Sequence, residues 1–228
     1  MTVRRVRILA VVVILLACMA AGAGGGGTSG VSADAALQRL MEGNKRFVKA
    51  HLINRSPTIK ETRERLAQGQ KPYAIILSCS DSRVSPEIIF DETIGRLFVV
   101  RVAGNVIDPV VLGSIEYAVE HLGPALIMVL GHEACGAVTS AYDATGKVGG
   151  NVDAVIEPIM PAVQKAKETM KGKSRSEQVE AAIEINVDLV AEGLTTQSPL
   201  IKDYVDRGAL KIVKGKYLLH QGQVKLLN

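Results

Sequence analysis

The sequence predicts an α/β fold: a mainly parallel β-sheet core flanked by helices. Three short apolar runs, Ala74 to Leu77, Leu97 to Val102 and Ala125 to Leu130, have the length of strands and are largely apolar on both parities, as strands buried on both faces of a parallel sheet are. Helical segments lie between them, and strands alternating with helices build a parallel sheet.

In chain order, Asp34 to Ala50 reads as an amphipathic helix. Leu37, Leu40, Met41, Phe47 and Val48 recur at helical spacing, with Ser32 or Asp34 as cap. Between His51 and Gln70, Pro57 breaks the chain before a second, charged helix that ends near Gly69. After the first apolar run, Ser85-Pro86-Glu87 opens a helix with a capping hydroxyl, a proline at the first helical position and an acid in the first turn. Ile115, Ala118, Val119 and Leu122 line one side of another helix, and a helical run starts at Ala137. Further helices cover Val152 to Thr169 and Ser176 to Glu192. Leu210 to Leu219 reads as a late strand at the sheet edge, with Gln221-Gly222 as a turn.

At 228 residues, 47% hydrophobic and 22% charged, the chain has the material for one buried core and is too apolar for wholesale disorder. Trp is absent and aromatics are 4%, which argues against stacking platforms for single-stranded nucleic acid. The net charge of +4 belongs mostly to the first few residues: without Arg4, Arg5 and Arg7, 24 basic side chains face 23 acidic ones. The folded body therefore has no electrostatic case for nucleic acid or an acidic membrane. Those arginines precede an apolar run from Ile8 to Ala21, whose 14 residues fall short of a bilayer span. A basic start, a short apolar stretch and then small residues form the pattern of a secretory signal peptide. Leu15-Leu16-Ala17-Cys18 resembles a lipobox, where Cys18 would take a lipid anchor; cleavage near Ala21-Gly22-Ala23 is the alternative. Residues 1–31 are thus read as signal peptide and Gly-rich tether, residues 32–228 as the domain, and the mature protein as exported to the periplasm or cell envelope.

The chemistry sits at strand ends. Ser78-Cys79-Ser80-Asp81-Ser82-Arg83 follows the first central strand, and Gly131-His132-Glu133-Ala134-Cys135-Gly136 follows the third. Open α/β sheets place ligands at the carboxyl ends of their strands, so Cys79, His132 and Cys135 converge if these strands are neighbours. Two thiolates and one imidazole are a catalytic zinc set with the fourth position open to water. A helix N-terminus after Cys135 favours its thiolate. Two buried free cysteines, or a Cys79–Cys135 disulfide in the absence of metal, are the competing readings. Asp81 and Arg83 stand two and four residues after Cys79, on its side of an extended chain. Such a pair is either an ordinary surface ion pair or, beside a metal, an orienting acceptor for metal-bound hydroxide.

Cys79-Ser80-Asp81-Ser82-Arg83 together with Gly131-His132-x-x-Cys135-Gly136 resembles the β-class carbonic anhydrases. The similarity runs from about Ala33 to Asn228 and is densest from Gln70 to Ala137. The resemblance implies a zinc enzyme that hydrates carbon dioxide reversibly to bicarbonate and a proton, and that is a homodimer or larger. It implies one zinc per subunit on Cys79, His132 and Cys135, with Asp81 and Arg83 as catalytic dyad. By the same resemblance Gln70 donates a hydrogen bond to substrate, while Phe98 and Tyr117 form pocket walls that can come from a neighbouring subunit. One branch of the family has a Trp three residues before the first zinc Cys and there forms a non-catalytic bicarbonate site. The residue here is Ile76. In that branch the aspartate matching Asp81 can itself close onto zinc. A related zinc hydrolase of carbonyl sulfide or carbon disulfide is the nearest alternative; a non-catalytic zinc module and a thiol–disulfide protein are more distant ones, and the chain has no Cys-x-x-Cys.

Charge counting gives a first prediction. Two thiolates cancel the formal charge of zinc, whereas three neutral imidazoles leave it intact, so the bound water is less acidic than on a three-histidine site. The expected kcat/KM rises from about pH 6 to about pH 9, and a pH–rate profile that fell over this interval would contradict it.

Overall fold

The computed structural model describes residues 29–54 and 60–228. The signal peptide, the lipobox at Cys18 and the Pro57 break lie outside the described residues. The helices are α1 (Ala33–Val48), α2 (Lys60–Leu66), α3 (Pro86–Ile89), α4 (Pro109–His121), α5 (Gly136–Asp143), α6 (Asp153–Ile156), α7 (Met160–Thr169), α8 (Arg175–Gln197) and α9 (Pro199–Asp206). The strands are β1 (Ala74–Ser78), β2 (Leu97–Arg101), β3 (Leu126–His132), β4 (Lys211–Leu218) and β5 (Gln223–Leu227), in the order β2-β1-β3-β4-β5. All pairings are parallel except β4 with β5. Among the described residues, no helix is long and apolar enough to cross a membrane.

The double-parity apolar pattern of β1 and β3 has a direct structural cause. Ile75, Leu77, Ile127 and Val129 pack with Ile115 and Val119 of α4 and Val187 and Leu194 of α8. Ala74, Ile76, Leu126 and Met128 pack on the other face with Leu40 of α1 and Ile89 and Phe90. A third cluster joins α5, α7 and α8 and contains Cys79 and Cys135. The metal candidates therefore lie at the junction of sheet and helical layer, not on an outer surface.

Four expectations need correction. Leu97 is buried, but Phe98, Val99 and Val100 are only half-buried and Arg101 is exposed, because β2 is an outer strand of the sheet. The late strand is not at the edge: β4 lies between β3 and β5, and β5 takes the edge after a turn with Gly222 at φ 67°. The expected helix from Val152 to Thr169 is broken into a 3-10 turn at Gly150–Val152, α6, a second 3-10 turn at Glu157–Ile159, and α7. Pro158 and Pro161 have no N–H to continue an α-helical ladder across that stretch. Ser85 precedes α3 in extended backbone, but its hydroxyl makes no cap bond. The cap of α1 is Ser32, which accepts from the Ala35 N–H. α9 was unforeseen, although Ser198-Pro199 carries a start signal: the Ser198 hydroxyl accepts from the Ile201 N–H.

α1 is tied down by two buried acids. Glu92 accepts from Arg39 Nε at 2.6 Å and from the Tyr73 hydroxyl at 2.9 Å. Asp91 accepts from Arg46 Nε at 2.5 Å and from the backbone amides of Ile53 and Asn54. Burial by itself would raise the Asp91 carboxyl, but Arg46 and the two amides outweigh it and hold the pKa below the usual value. A carboxyl with a depressed folded-state pKa contributes stability above its unfolded pKa, about 3.9, and loses it as pH falls through the folded value. Asp91→Ala is expected to destabilise the fold by about 2–3 kcal/mol at pH 7, because it leaves Arg46 and two amides without their acceptor. Urea unfolding at pH 7 and near pH 3 checks this, and the difference from wild type should shrink at the lower pH.

Candidate metal centre

Neighbouring parallel strands bring the two motifs together. β1 pairs with β3 in a register that sets Ser78 opposite Leu130, so the loops leaving both strands open at the same end of the sheet. Cys79 is the first residue beyond β1, His132 ends β3, and Cys135 caps the start of α5. All three are buried, and their ligand atoms lie within 4.8 Å of one another. The two Sγ atoms are 3.9 Å apart and both thiols are free, so they are not joined as a disulfide. Two zinc–sulfur bonds of about 2.3 Å at a tetrahedral angle set their sulfurs about 3.8 Å apart, so the observed spacing fits a zinc ion.

The histidine fits equally. His132 Nδ1 is 2.8 Å from the Glu133 carbonyl, which places the proton on Nδ1 and leaves a lone pair on Nε2. That Nε2 is buried and has no hydrogen-bond partner. An unpartnered acceptor in a dry site is costly, and a cation between it and the two sulfurs removes the cost.

Backbone groups hold the first thiol in place. The Gly104 N–H donates to Cys79 Sγ at 3.3 Å, and Asn186 of α8 donates to the Gly104 carbonyl at 2.9 Å. Gly104 sits at φ 69°, and a Cβ there would come within 2.6 Å of Ile159 Cδ1, so no other residue fits without displacement. Arg101 donates to the carbonyls of Cys79 at 3.0 Å and Asp81 at 2.7 Å, fixing the loop between them. The hydrogen bond from Cys135, which outweighs burial, together with the amides of Gly104 and Asp81, brings the Cys79 thiol down to about 4. Its hydrogen bond to Cys79, then burial and the Cys79 charge, push the Cys135 thiol up. Without metal the pair therefore keeps one proton, and a divalent cation is what would let both ionise.

Asp81 and Arg83 adjoin this cluster. Arg83 donates to both carboxylate oxygens of Asp81, at 2.8 and 2.7 Å, and its backbone amide adds a third bond. The Arg83 guanidinium outweighs the effect of burial and holds the Asp81 carboxyl far below the usual carboxylate range. Asp81 Oδ2 lies 3.9 Å from His132 Nε2, but Asp81 is not among the clustered donors. Its carboxylate is turned to Arg83, not closed onto the metal position. The other candidate residues are elsewhere. Gln70 is exposed beyond α2. Phe98 is half-buried on β2, packed against the core on the α4 side. Tyr117 is 51% exposed on α4, and its ring lies against His121. Sequence reasoning did not single out Arg101, Gly104 or Asn186. Gly104-Asn105 is a turn signal that marks the place, whereas Asn186 reaches Gly104 across 82 residues of chain and has no local signature.

The family model described as carbonic anhydrase matches residues 74–224, which contain every member of this cluster. Carbonic anhydrase 2 of Mycobacterium tuberculosis is 43% identical over 195 residues, covering 84% of this chain and 91% of the relative. A Coccomyxa β-carbonic anhydrase solved with acetazolamide superposes with a TM-score of 0.69 at 28% identity, covering 84% of this chain and 86% of that one. The chain belongs to the β-carbonic anhydrase family. A carbonic anhydrase of Mycolicibacterium smegmatis is 41% identical over a comparable span, 84% of this chain and 92% of the relative. One of two β-carbonic anhydrases of Sordaria macrospora, described as tetrameric, superposes with a TM-score of 0.67 at 28% identity over 73% of this chain and 85% of that one. As a β-carbonic anhydrase, the chain carries the expected α/β fold, and its family's sheet supplies the two strand ends on which the Cys/His cluster is built.

Proposed function

We propose that the chain catalyses the reversible hydration of carbon dioxide to bicarbonate and a proton, with one zinc ion held by Cys79, His132 and Cys135. The observation that carries this reading is the buried trio of donor atoms within 4.8 Å of one another, one of them the unpartnered His132 Nε2. Zinc, when bound, supplies a Lewis acid that makes water nucleophilic near neutral pH.

The protein's own groups do the rest. Asp81, kept ionised by Arg83, is an acceptor at the mouth of the cluster that orients the attacking O–H toward carbon dioxide. Because Arg83 holds both of its oxygens, Asp81 is turned away from the three donors that would hold zinc. Gly104 and Asn186 keep Cys79 in register with its partners. Gln70 is assigned to hydrogen-bond the substrate, and Phe98 and Tyr117 to wall the pocket. In a single copy Gln70 and Tyr117 face outward and Phe98 lies on an outer strand, so we assign them to a pocket completed by a second copy across the β2 edge. This makes a homodimer or larger assembly the working unit. The leader from Arg4 to Ala21 supports export to the periplasm or cell envelope, with Cys18 as the lipid-anchor candidate; mass spectrometry of the mature terminus tests it.

Stopped-flow hydration of carbon dioxide, run on protein of measured zinc content, tests the activity. Rate proportional to bound zinc is expected, and zinc-loaded protein without hydration would overturn the reading. The relatives named carbonic anhydrases support carbon dioxide over its sulfur analogues as substrate.

A further inference from the structure

Two of the three donors depend on one short turn. Between His132 and Cys135 stands Ala134 with φ 50°, a left-handed conformation that an alanine keeps only where its surroundings impose it. The Glu133 side of the turn is held by β4: its N–H donates to the Tyr217 carbonyl at 3.0 Å, and its Oε2 accepts from the Leu219 N–H at 2.7 Å. The Ala134 side is held by α8, where Glu180 Oε1 accepts the Ala134 N–H at 3.0 Å. Glu180 is itself anchored: its Oε2 lies 2.6 Å from Lys216 Nζ, an ion pair in contact distance though not in hydrogen-bond geometry. Lys216 is 5% exposed and stands opposite Gly131 in the β3–β4 register, immediately before His132. Burial opposes its charge, but Glu180 and Glu184 more than offset this and keep the ammonium protonated.

We propose that Glu180, braced by Lys216, is a positioning residue for the zinc site: it fixes the strained Ala134 peptide and thereby the separation of His132 Nε2 from Cys135 Sγ. The inference rests on the zinc reading above. Glu180 is not one of the clustered donors. It acts on the turn that carries two of the donors, as outer groups around a metal do when they orient its ligands.

The molecule provides an internal control. Glu184, one turn further along α8, lies 3.1 Å from the same Lys216 Nζ but makes no bond to the turn. Loss of Glu184 therefore removes an acid from Lys216 without releasing Ala134. Zinc affinity is measured by competition with a chromophoric chelator on wild type, Glu180→Ala, Glu180→Gln and Glu184→Ala, alongside the melting temperature of each apoprotein. Glu180→Ala is expected to weaken zinc binding about 10- to 100-fold, the usual range for loss of an outer-shell group. Glu180→Gln, whose carbonyl still accepts the Ala134 N–H, should recover much of that loss. Glu184→Ala should bind zinc within about twofold of wild type even where its apoprotein melts lower, since the lost pair is a stability effect alone. Glu180→Met, which keeps the aliphatic stem without an acceptor, carries the comparison if the alanine variant does not fold. Wild-type affinity in Glu180→Ala or Glu180→Met, or an equal loss in Glu184→Ala, would overturn the proposal. Wild-type protein that binds no zinc in the same assay would instead overturn the zinc reading on which it rests.

Discussion

Asp81→Asn is expected to keep its zinc and lose hydration activity, with kcat/KM falling about 100-fold or more. The substitution preserves shape and removes the charge that Arg83 grips at 2.7–2.8 Å, leaving an amide whose NH2 group cannot accept. Asp81 lies outside the donor cluster, so metal content should stay near one per chain. Orienting and proton-accepting groups of this kind contribute about 10²- to 10⁴-fold to rate, and the low end is expected because binding and zinc remain. The check is paired: hydration kinetics and zinc analysis on the same preparation. A variant that retained wild-type kcat/KM would remove Asp81 from the mechanism, and one that lost zinc would make it a ligand.

Cys135→Ala has the opposite signature, losing the metal first and activity as a consequence. Three protein donors are the minimum of a catalytic zinc site, and in the apoprotein the missing thiol also deprives Cys79 of the hydrogen bond that lowers its pKa most. Zinc content should drop to near zero after dialysis against a mild chelator, and hydration should fall to the uncatalysed background. Because Cys135 is 1% exposed and sits among Val138, Ala141 and Ile159, alanine leaves a small cavity costing about 1–2 kcal/mol and the fold survives. Circular dichroism separates metal loss from unfolding.

How much of this was legible in the sequence depends on the range of the interaction. Whether a strand is covered on both faces is written in its own residues, so β1 and β3 were readable, and with them the shared end of the sheet from which Cys79, His132 and Cys135 depart. Strand order is not local. Leu97 to Val102 is apolar except for Arg101, yet its edge position exposes Arg101 and half-exposes Phe98 to Val100. β4 becomes interior only because the short, largely exposed β5 pairs beyond it. The helix expected across Val152 to Thr169 failed for a local reason, since Pro158 and Pro161 were both in view. The groups that brace the site escape sequence reading altogether: Asn186 and Glu180 look like ordinary members of a long helix until the fold brings Gly104 and Ala134 beneath them.

The most direct test of the account is X-ray absorption at the zinc edge on purified, metal-analysed protein. Two sulfur scatterers at about 2.3 Å with one imidazole nitrogen and one oxygen at about 2.0–2.1 Å are predicted, reduced to a single sulfur or to no zinc in Cys135→Ala. A site with four sulfurs or none, or wild-type protein whose Cys79 and Cys135 are joined to each other and whose zinc content is nil, would contradict it.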